Sequence, residues 1–495
     1  MSDLTYAYIM RIFWALFLAV MVAAAFRVSW KLENGKKTME NSRTDTTVWI
    51  DPVIFVVLLI MHLSLVLISY VRSKGFTYAL SALIDIFLFV SIYFTLLLLL
   101  LPVLRKHYTA RTCATLWLIP VFLFYQPYMV SNITIELPYA VFYIPENIME
   151  LLFGIWLAGF LIILAVQVAS HLSFSRELKS DSRPVEDPAV THLWERGMKK
   201  IRLNLPVKLR FSNRVSTPLT VGMRKKHKIT YLPEKEYTEE ELKLIFSHEL
   251  HHIQRNDTHT KFFLKFCNAL GWPHPFVWLA VKRAEEDLEL SCDEIVLKDA
   301  DSERRRTYAN LLLTTAGNSR GFTTCLSASA KTLKYRMKET VKGKQKRLGI
   351  GLLFLVMFLS CFTLGKIAFA TDRMGMAEAM RLEEIEISRA SLNERTEKTE
   401  DEEKPSEPIP AEIKDVNSLS DYLSGRQVEK MVYNYQPGSP IQEQEDLILY
   451  GEIESTDVTF SIFGEYMEIY PYGYTDHVLY HITEPLDWEY IRTLV

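Results

Sequence analysis

Three histidines and a glutamate lie close together in the segment LIFSHELHH, residues 244–252. His248 and His252 are four residues apart, so on a helix both imidazoles project from one face and can bind one zinc ion at about 2.0–2.1 Å. Glu249, beside the first histidine, can take a proton from water that such a metal ion activates. This HExxH spacing is typical of zinc metallopeptidases, although so short a pattern also recurs by chance.

A zinc site needs a third protein ligand, and the downstream segment EEDLELSCDEIVL offers one. Glu289 lies thirty-seven residues after His252, far enough for the chain to turn and bring a second helix alongside. Asp293, four residues further on the same face, can accept a hydrogen bond from a ligand histidine and fix its tautomer. The alternative is an ordinary charged helix face, since acidic residues are common in this segment. The HExxH motif favours Glu289 as the metal ligand and Asp293 as its support.

The other polar residues near these motifs have weaker claims to a role. His251 is three residues from His248 and could in principle ligate, but the general base and the supporting aspartate suit only the pair four residues apart, so we expect it to pack at the surface or beside the site. His259 and His274 are predicted to be structural, with stabilisation of an oxyanion as the alternative. Cys292 lies off the ligand face, where a buried thiol is expected. Asp257 follows the motif closely enough to cap its helix or support the site.

The sequence also indicates which elements carry these residues. In TEEELKLIFSHELHHIQRND, Thr238 is a good N-cap and Glu241 completes a capping box, which predicts a helix. Apolar residues follow at helical spacing, at Leu242, Ile245, Phe246, Leu250 and Ile253. The stretch before this helix, LPVKLRFSNRVSTPLTVGMRKKHKITYLP, predicts short strands joined by turns. An α+β domain is therefore expected around the site.

Apolar segments long enough to span a bilayer, which needs about 20 apolar residues, flank this domain. We place them at about 6–28, 52–71, 80–104, 112–130, 148–171 and 348–370. The fourth is the weakest, because Pro120 and Pro127 interrupt it, and a re-entrant segment is the alternative. The N-terminal segment lacks a basic start and a small-residue cleavage site, so it is interpreted as a retained span. Lysine and arginine in the loops favour an outside N-terminus and a cytoplasmic site.

The predicted chain is an α-helical multi-pass protein of the cell membrane with about six spans. Its parts are a membrane domain 1–172, a cytoplasmic domain 173–347, a last span 348–370, a helical acidic linker 371–416 and a small extracellular β-rich or α+β module 417–495. A net charge of −3 gives no global field that would suggest direct nucleic-acid binding. Five scattered cysteines without a CxxC pair fit reduced thiols. The run 331–347, with eight basic residues against one acidic, predicts an anchor on anionic membrane lipids.

Six short motifs follow one another along the chain: TPLTVG, ITYLP, EELKLIFSHELHHIQRND, WPHPFVW, EDLELSCDEIVL and RRTYANLLL. Together they resemble the BlaR/MecR-type membrane metallopeptidases of antibiotic sensors, over about 80–370. The resemblance implies a gluzincin-like zinc-peptidase domain on the cytoplasmic face, with Zn²⁺ held by His248, His252 and Glu289 and with Glu249 as general base. It also implies signalling, in which an outer module perceives an unknown ligand and the zinc domain cleaves itself or a cytoplasmic repressor. Autocleavage would then fall in 331–347.

Three features depart from that family. Its beta-lactam sensors end in a penicillin-binding module with an SxxK serine, whereas about 125 residues follow here and contain no SxxK. Two further spans precede the family's three, and His274 stands where WPHPFVW usually has asparagine. Two alternatives stay open: a housekeeping membrane zinc protease of the HtpX or CAAX-protease kind, and a non-catalytic receptor that zinc holds together. Only a catalytic site needs the base Glu249.

Overall fold

The computed structural model describes residues 3–34, 51–73, 78–120, 138, 140–201, 203, 206–224, 227–314, 324–325, 330–342, 346–362, 367–382, 384–392, 409–411, 414–432, 447–453, 456–471 and 478–494. The helices are α1 Asp3–Glu33, α2 Pro52–Ser73, α3 Tyr78–His107, α4 Ala110–Leu116, α5 Glu146–Asp181, α6 Pro188–Lys200, α7 Glu239–Arg255, α8 Asp257–Leu270, α9 Pro275–Val296, α10 Ser302–Thr314, α11 Ala330–Lys342, α12 Ile350–Ser360, α13 Met376–Met380, α14 Val416–Ser424 and α15 Trp488–Leu494. The strands are β1 Ala140–Tyr143, β2 Arg183–Pro184, β3 Lys208–Phe211, β4 Leu219–Val221, β5 Ile229–Leu232, β6 Thr324–Cys325, β7 Ile367–Gly375, β8 Glu386–Leu392, β9 Ile409–Ala411, β10 Gln427–Val432, β11 Leu447–Ile453, β12 Thr456–Phe463, β13 Tyr466–Pro471 and β14 Val478–Ile482.

Three helices in the described ranges are long and apolar enough to cross a membrane, at Tyr8–Glu33, Leu83–His107 and Glu146–Asp181. Shorter apolar helical stretches lie at Pro52–Met61 and Ile350–Ser360, within the second and sixth predicted spans. The fourth predicted span starts as the short α4, and its residues 121–130 lie outside the described part of the chain. The fifth continues well past its predicted end at 171, to Asp181.

The sixth predicted span, 348–370, is wrong at its C-terminal end. Helix α12 ends at Ser360, and Ile367–Gly375 is strand β7, hydrogen-bonded to strands on both sides. An apolar run of a few residues fits a buried strand as well as a helix, and periodicity alone does not separate the two.

The membrane helices and the helices of the predicted cytoplasmic domain share one apolar core. Phe94 and Trp117 from the N-terminal part pack in the same buried cluster as Phe263 and Phe266 of α8 and Ala280 of α9. The predicted boundary at 172 therefore does not separate two independent cores. Burial of apolar side chains from both parts is what holds α8 and α9 against the spans.

The α+β region around the HExxH helix contains a five-stranded sheet in the described residues, ordered β2-β3-β5-β4-β6. Strand β3 pairs in parallel with β5, and the other pairs are antiparallel. The short strands predicted before the helix are β3, β4 and β5, so this part of the prediction is confirmed.

The C-terminal region forms a second sheet, ordered β1-β7-β10-β14-β13-β12-β11-β8-β9 among the described strands. All its pairs are antiparallel except β1 with β7, which run in parallel from Ala140↔Ile367 to Tyr143↔Ala370. The helical linker predicted over 371–416 is wrong where it is described, because β7, β8 and β9 belong to this sheet. Among the described residues of that linker, the short α13 and the start of α14 are helical, and 383, 393–408 and 412–413 lie outside the described part.

The two sheets lie at the two ends of one helix. Strand β1 directly precedes α5, and strand β2 directly follows it. Since α5 has 36 residues, a straight helix would extend about 54 Å. The C-terminal module and the HExxH region are therefore separated by a helix that is long enough to cross a membrane.

Candidate metal centre

Helix α7 presents the HExxH residues, and its two ends are fixed by local chemistry. Thr238 and Glu241 form the predicted capping box, with the Thr238 side chain accepting from the Glu241 backbone N–H. The helix ends at Asn256, which adopts a left-handed conformation (φ 57°) that asparagine tolerates better than most residues. Lys228 Nζ donates to Asn256 Oδ1 at 2.7 Å and holds this corner. The chain then turns directly into α8.

Three side-chain atoms meet at the centre of the candidate site. His248 Nε2 and His252 Nε2 are 3.1 Å apart, and Glu289 Oε2 lies 3.5 Å and 3.6 Å from them. All three residues are buried. Tetrahedral zinc with bonds of about 2.0–2.2 Å brings its ligand atoms to roughly 3.3–3.5 Å from one another. The three predicted ligands thus have nearly the spacing that such an ion requires.

The carboxylate of Glu289 supports a metal at this position. Its Oε1 accepts a hydrogen bond from Lys261 Nζ at 2.9 Å. Its Oε2 is buried, faces the two imidazoles and accepts no hydrogen bond within the described residues. A buried carboxylate oxygen without a hydrogen bond is costly, and a cation between the three groups would satisfy it. The donor set, two imidazoles and one carboxylate, is one that zinc commonly takes.

The second ring nitrogen of His248 is held by a hydrogen-bonded chain. Tyr308 Oη donates to Asp293 Oδ1 at 2.5 Å and lies 3.0 Å from His248 Nδ1. Because the phenol's single proton goes to the carboxylate, its oxygen accepts from Nδ1–H. This tautomer leaves the lone pair of Nε2 directed at the centre. Asp293 itself is 3.4 Å from Nδ1, so it supports the histidine chiefly through the tyrosine.

His252 is held by a carboxylate from beyond the helix corner. Asp257 Oδ2 lies 2.6 Å from His252 Nδ1, and both side chains are buried. The left-handed conformation of Asn256 allows this contact. In a continuous helix Asp257, five residues after His252, would lie beyond the reach of the imidazole. Arg255 pairs with the same carboxylate and also donates to Ser291 Oγ at 2.6 Å. The buried Arg255 thus links the end of α7 to both Asp257 at the start of α8 and Ser291 of α9.

Arg336, from α11, reaches the interior of the site although it belongs to the basic run 331–347. Its side chain has no exposed area, and its Nε and Nη2 donate to the two oxygens of Asp293 at 2.7 Å each. Its Nη1 is 3.4 Å from Glu289 Oε2. The prediction of a lipid-facing anchor therefore fails for this one arginine, since a guanidinium so placed cannot contact a membrane surface.

Glu249, the predicted general base, is fully buried next to the ligand pair. Its Oε2 accepts a hydrogen bond from Thr220 Oγ1 of β4 at 2.9 Å. Thr220 Oγ1 is also 2.9 Å from Thr230 Oγ1 of β5. Since the Thr220 proton goes to the carboxylate, Thr230 donates to Thr220. The five-stranded sheet thus fixes the orientation of the glutamate.

Burial and nearby charges favour the metal-binding ionisation states of His248 and Glu289. Burial lowers the pKa of His248 to about 4, so the imidazole is neutral near pH 7. Burial alone would raise the pKa of Glu289, but the ammonium of Lys261 and the neighbouring histidines lower it well below its usual range. A neutral imidazole and a charged carboxylate are the ligating forms of these groups. For His252 burial would lower the pKa, but Cys292, Glu289 and Asp257 raise it well above its usual range, so a bound metal would have to displace a proton from this imidazole.

The remaining predicted candidates do not join the three ligands. His251 bonds Gln254 Oε1 at 3.3 Å. His259 uses both ring nitrogens, with Asp51 Oδ2 and Met223 O each at 2.5 Å, so its structural role is supported. His274 stands at the N-terminal boundary of α9. Cys292 Sγ lies 3.4 Å from His252 Nδ1, but burial raises the pKa of this thiol, which disfavours the thiolate that a metal would need.

The sequence patterns predicted no role for four residues that contribute to the site: Thr220, Lys261, Tyr308 and Arg336. Thr220 and Tyr308 lie within the motifs TPLTVG and RRTYANLLL, which gave a usable signal. The lysine lies in a mainly apolar helical segment, where a cation needs a buried partner. Nothing in the sequence of the basic run 331–347 distinguishes Arg336 from the solvated cations beside it.

Comparisons with known proteins give a matching family model and a similar relative. A family model described as BlaR1 peptidase M56 matches residues 53–340, more than half of the chain. The match begins before α3 and includes α2, so only one predicted span, rather than two, precedes it. The Regulatory protein BlaR1 of Bacillus licheniformis is 26% identical over 184 residues, which are 37% of this chain. The similarity spans 30% of that relative's length.

Proposed function

Because this chain belongs to the BlaR1 peptidase M56 family, we propose that it is a membrane zinc endopeptidase that transduces an extracellular signal by cleaving itself or a cytoplasmic regulator. The family and the apolar helices identify a membrane metallopeptidase. The observation that carries the zinc assignment is the convergence of His248, His252 and Glu289 on one buried point.

In this proposal His248, His252 and Glu289 hold the zinc ion, and Asp293, Tyr308 and Asp257 keep the two imidazoles in the ligating tautomer. When bound, zinc acts as a Lewis acid that polarises the scissile carbonyl and acidifies water. Glu249 takes the proton from the attacking water and passes it to the leaving amine. Thr220 keeps the carboxylate in one orientation through its hydrogen bond to Oε2.

We further propose that the HExxH region is cytoplasmic and the C-terminal module extracellular, where it responds to an unknown ligand. Support comes from α5, which has the five-stranded sheet at one end and the nine-stranded sheet at the other. The β1–β7 pairing is consistent with both segments lying on the same side of the membrane. Membrane lipids and a protein substrate, either a repressor or this chain, are the proposed partners, without direct contact to nucleic acid. The chain has no SxxK motif after 371, so we do not propose a beta-lactam as the signal.

The catalytic proposal is tested by comparing the wild type with Glu249→Gln in membranes. We expect fragments of this chain or of other proteins from the wild type, and their loss in the variant, at equal zinc content. Glu240→Gln, an exposed position on the same helix, is the matched control and retains the fragments. Equal fragments from all three proteins would indicate the non-catalytic receptor. Continuous degradation of many misfolded membrane proteins, independent of any signal, would favour a housekeeping protease.

A further inference from the structure

A large cleft opens between the C-terminal end of α3, the first turns of α9, and α11. Its volume is about 1140 Å³, compared with roughly 300–1,000 Å³ for pockets that hold small molecules. It lies outside the three-ligand centre, and none of the ligands lines it. Its lining changes from apolar to cationic along α3.

The apolar half of the cleft lies on a helix that is long and apolar enough to cross a membrane. Leu98, Leu99 and Pro102 line it from α3, and Phe276 and Leu279 line it from α9. Leu98 is partly buried, whereas Leu99 is 72% exposed and Phe276 50%. Exposed apolar surface of this kind favours contact with hydrocarbon rather than with water.

The other half is cationic and begins in the last turn of the same helix, at Arg105–His107. The basic side chains around it are Arg105, Lys106, His107, Arg283, Lys338, Lys346 and Arg347, and the acid among the lining residues is Glu339. Arg105 and Arg283 are paired with acids of α9, and Lys346 is paired with Glu339.

Three of these cations, Lys106, Lys338 and Arg347, form no ion pair within the ranges that the structure describes. They come from α3, α11 and the segment just before α12, so three separate elements direct unneutralised charge at one cleft. Basic pockets between membrane helices bind the headgroups of anionic lipids by this means.

We propose that this cleft is a binding site for an anionic phospholipid. The phosphate lies at Lys106, Lys338 and Arg347, and the acyl chains extend along Leu98 and Leu99. The succession of apolar wall and cationic rim along α3 matches the succession of acyl chain and headgroup in a bilayer. An acidic peptide would match the rim alone, whereas a phospholipid matches both the rim and the leucine wall with one molecule.

Occupancy of the cleft reaches the metal centre through α11. Lys338 lies two residues after Arg336, the arginine that pairs with Asp293. A phosphate on Lys338 would hold the helix that positions this arginine. The anionic lipid therefore stabilises the arrangement around His248, a consequence that rests on the proposed function, whereas the lipid site itself does not.

The test measures bound lipid, which is independent of proteolysis. The full chain is placed in nanodiscs with equal amounts of phosphatidylglycerol and phosphatidylcholine, extracted, and examined by native mass spectrometry. We expect at least fivefold more retained phosphatidylglycerol than phosphatidylcholine. Lys106→Gln/Lys338→Gln/Arg347→Gln should reduce the ratio to near one. The control Lys179→Gln/Lys199→Gln/Lys200→Gln, three exposed cations elsewhere, should leave it unchanged.

A second pair of variants tests the apolar wall without changing charge. Leu99→Trp fills the cleft and should lower lipid retention severalfold, whereas Leu100→Trp, exposed on the same helix outside the cleft, should not. The proposal is overturned by equal retention of the two lipids, by a cation variant that retains phosphatidylglycerol, or by a co-purified peptide in place of lipid. Displacement of the lipid by glycerol 3-phosphate, together with an inert Leu99→Trp, would indicate a site for free phosphate and also overturn it.

Discussion

Arg336 and Asp293 form a fully buried, two-point ion pair in which Nε and Nη2 each donate to a different carboxylate oxygen at 2.7 Å. They are 43 residues apart, on α11 and α9. Asp293 also accepts from Tyr308, which holds His248. The pair therefore connects the basic segment before the last apolar helix to a candidate metal ligand.

Removal of Arg336 should be strongly destabilising. Arg336→Leu leaves the Asp293 charge buried without its main partner, which typically costs about 3–5 kcal/mol of unfolding free energy. Arg336→Lys keeps the charge but loses the two-point geometry, so its loss should be smaller. Denaturant or thermal unfolding of the detergent-solubilised chain measures both. Lys334→Leu, which changes an exposed neighbour on α11, is the control. The double variant Arg336→Leu/Asp293→Leu should be more stable than Arg336→Leu alone. Equal stability of the double and single variants would contradict the pairing.

Asp257→Asn should weaken zinc binding and also lower stability, because it removes the carboxylate that pairs with the buried Arg255. The amide presents its NH₂ or a weaker acceptor to His252 Nδ1, which disturbs the ligating tautomer, and such changes typically cost about 10- to 100-fold in metal affinity. Competition with a chromophoric chelator measures the affinity. Asp299→Asn, an exposed acid after α9, provides the matched control. Unchanged affinity in Asp257→Asn would show that the 2.6 Å contact does not orient the ligand.

Thr220→Val should impair catalysis while leaving zinc in place. The valine is nearly the same size but donates no hydrogen bond to Glu249 Oε2, and a bond to a charged group is worth about 1.5–3 kcal/mol. We expect kcat to fall about 10- to 100-fold with little change in KM. Thr230→Val removes only the outer bond and should have a smaller effect. A Thr220 variant with full kcat would exclude a positioning role.

Gly159 and Gly154 on α5 should respond differently to alanine. A Cβ at Gly159 would overlap the Trp272 indole, whereas one at Gly154 meets nothing within 4 Å. Gly159→Ala should therefore destabilise by about 1–3 kcal/mol, and Gly154→Ala should be neutral or stabilising by up to about 1 kcal/mol. Thermal unfolding followed by tryptophan fluorescence compares them. Trp272→Leu should rescue Gly159→Ala; failure of the rescue would place the strain elsewhere.

Stability should also depend on the ionisation of Glu294. Burial raises the pKa of this carboxyl to about 7, although it accepts from the Ala110 backbone N–H. Because the folded-state pKa exceeds the unfolded one, the contribution is complete below about pH 4.5 and is lost as the pH rises through 7. Relative to Glu294→Gln, the unfolding free energy of the wild type should fall by roughly 1–3 kcal/mol between pH 5 and pH 8. Parallel pH profiles of the two proteins would contradict this.

The sequence was sufficient for the elements whose signals are local. The capping box at Thr238 and Glu241 fixed the start of α7, and the four-residue spacing placed His248 and His252 together. Glu289 could be proposed because the HExxH motif requires a partner. These inferences depend on helix geometry and on the coordination chemistry of one metal.

Interactions across the fold could not be obtained in this way. The local sequence around Arg336 is as basic as the sequence around its exposed neighbours. Only the packing of α11 against α9 directs the Arg336 side chain inward. The last apolar segment was assigned wholly to a helix because Ile367–Ala370 has no distinguishing period, whereas its strand partners come from distant positions. Long-range pairing of this kind leaves no local trace.

The parallel pairing of β1 with β7 has a practical meaning for protein engineering. Strand β1 is an outer strand of the nine-stranded sheet, yet it precedes the HExxH region in the chain by about a hundred residues. A chimera joined at residue 371 would therefore combine two sequences within one sheet and leave an unmatched, aggregation-prone edge. Exchange of the C-terminal module between two such proteins should transfer residues 138–145 together with 367–495, so that both strands of the β1–β7 pair come from the same parent.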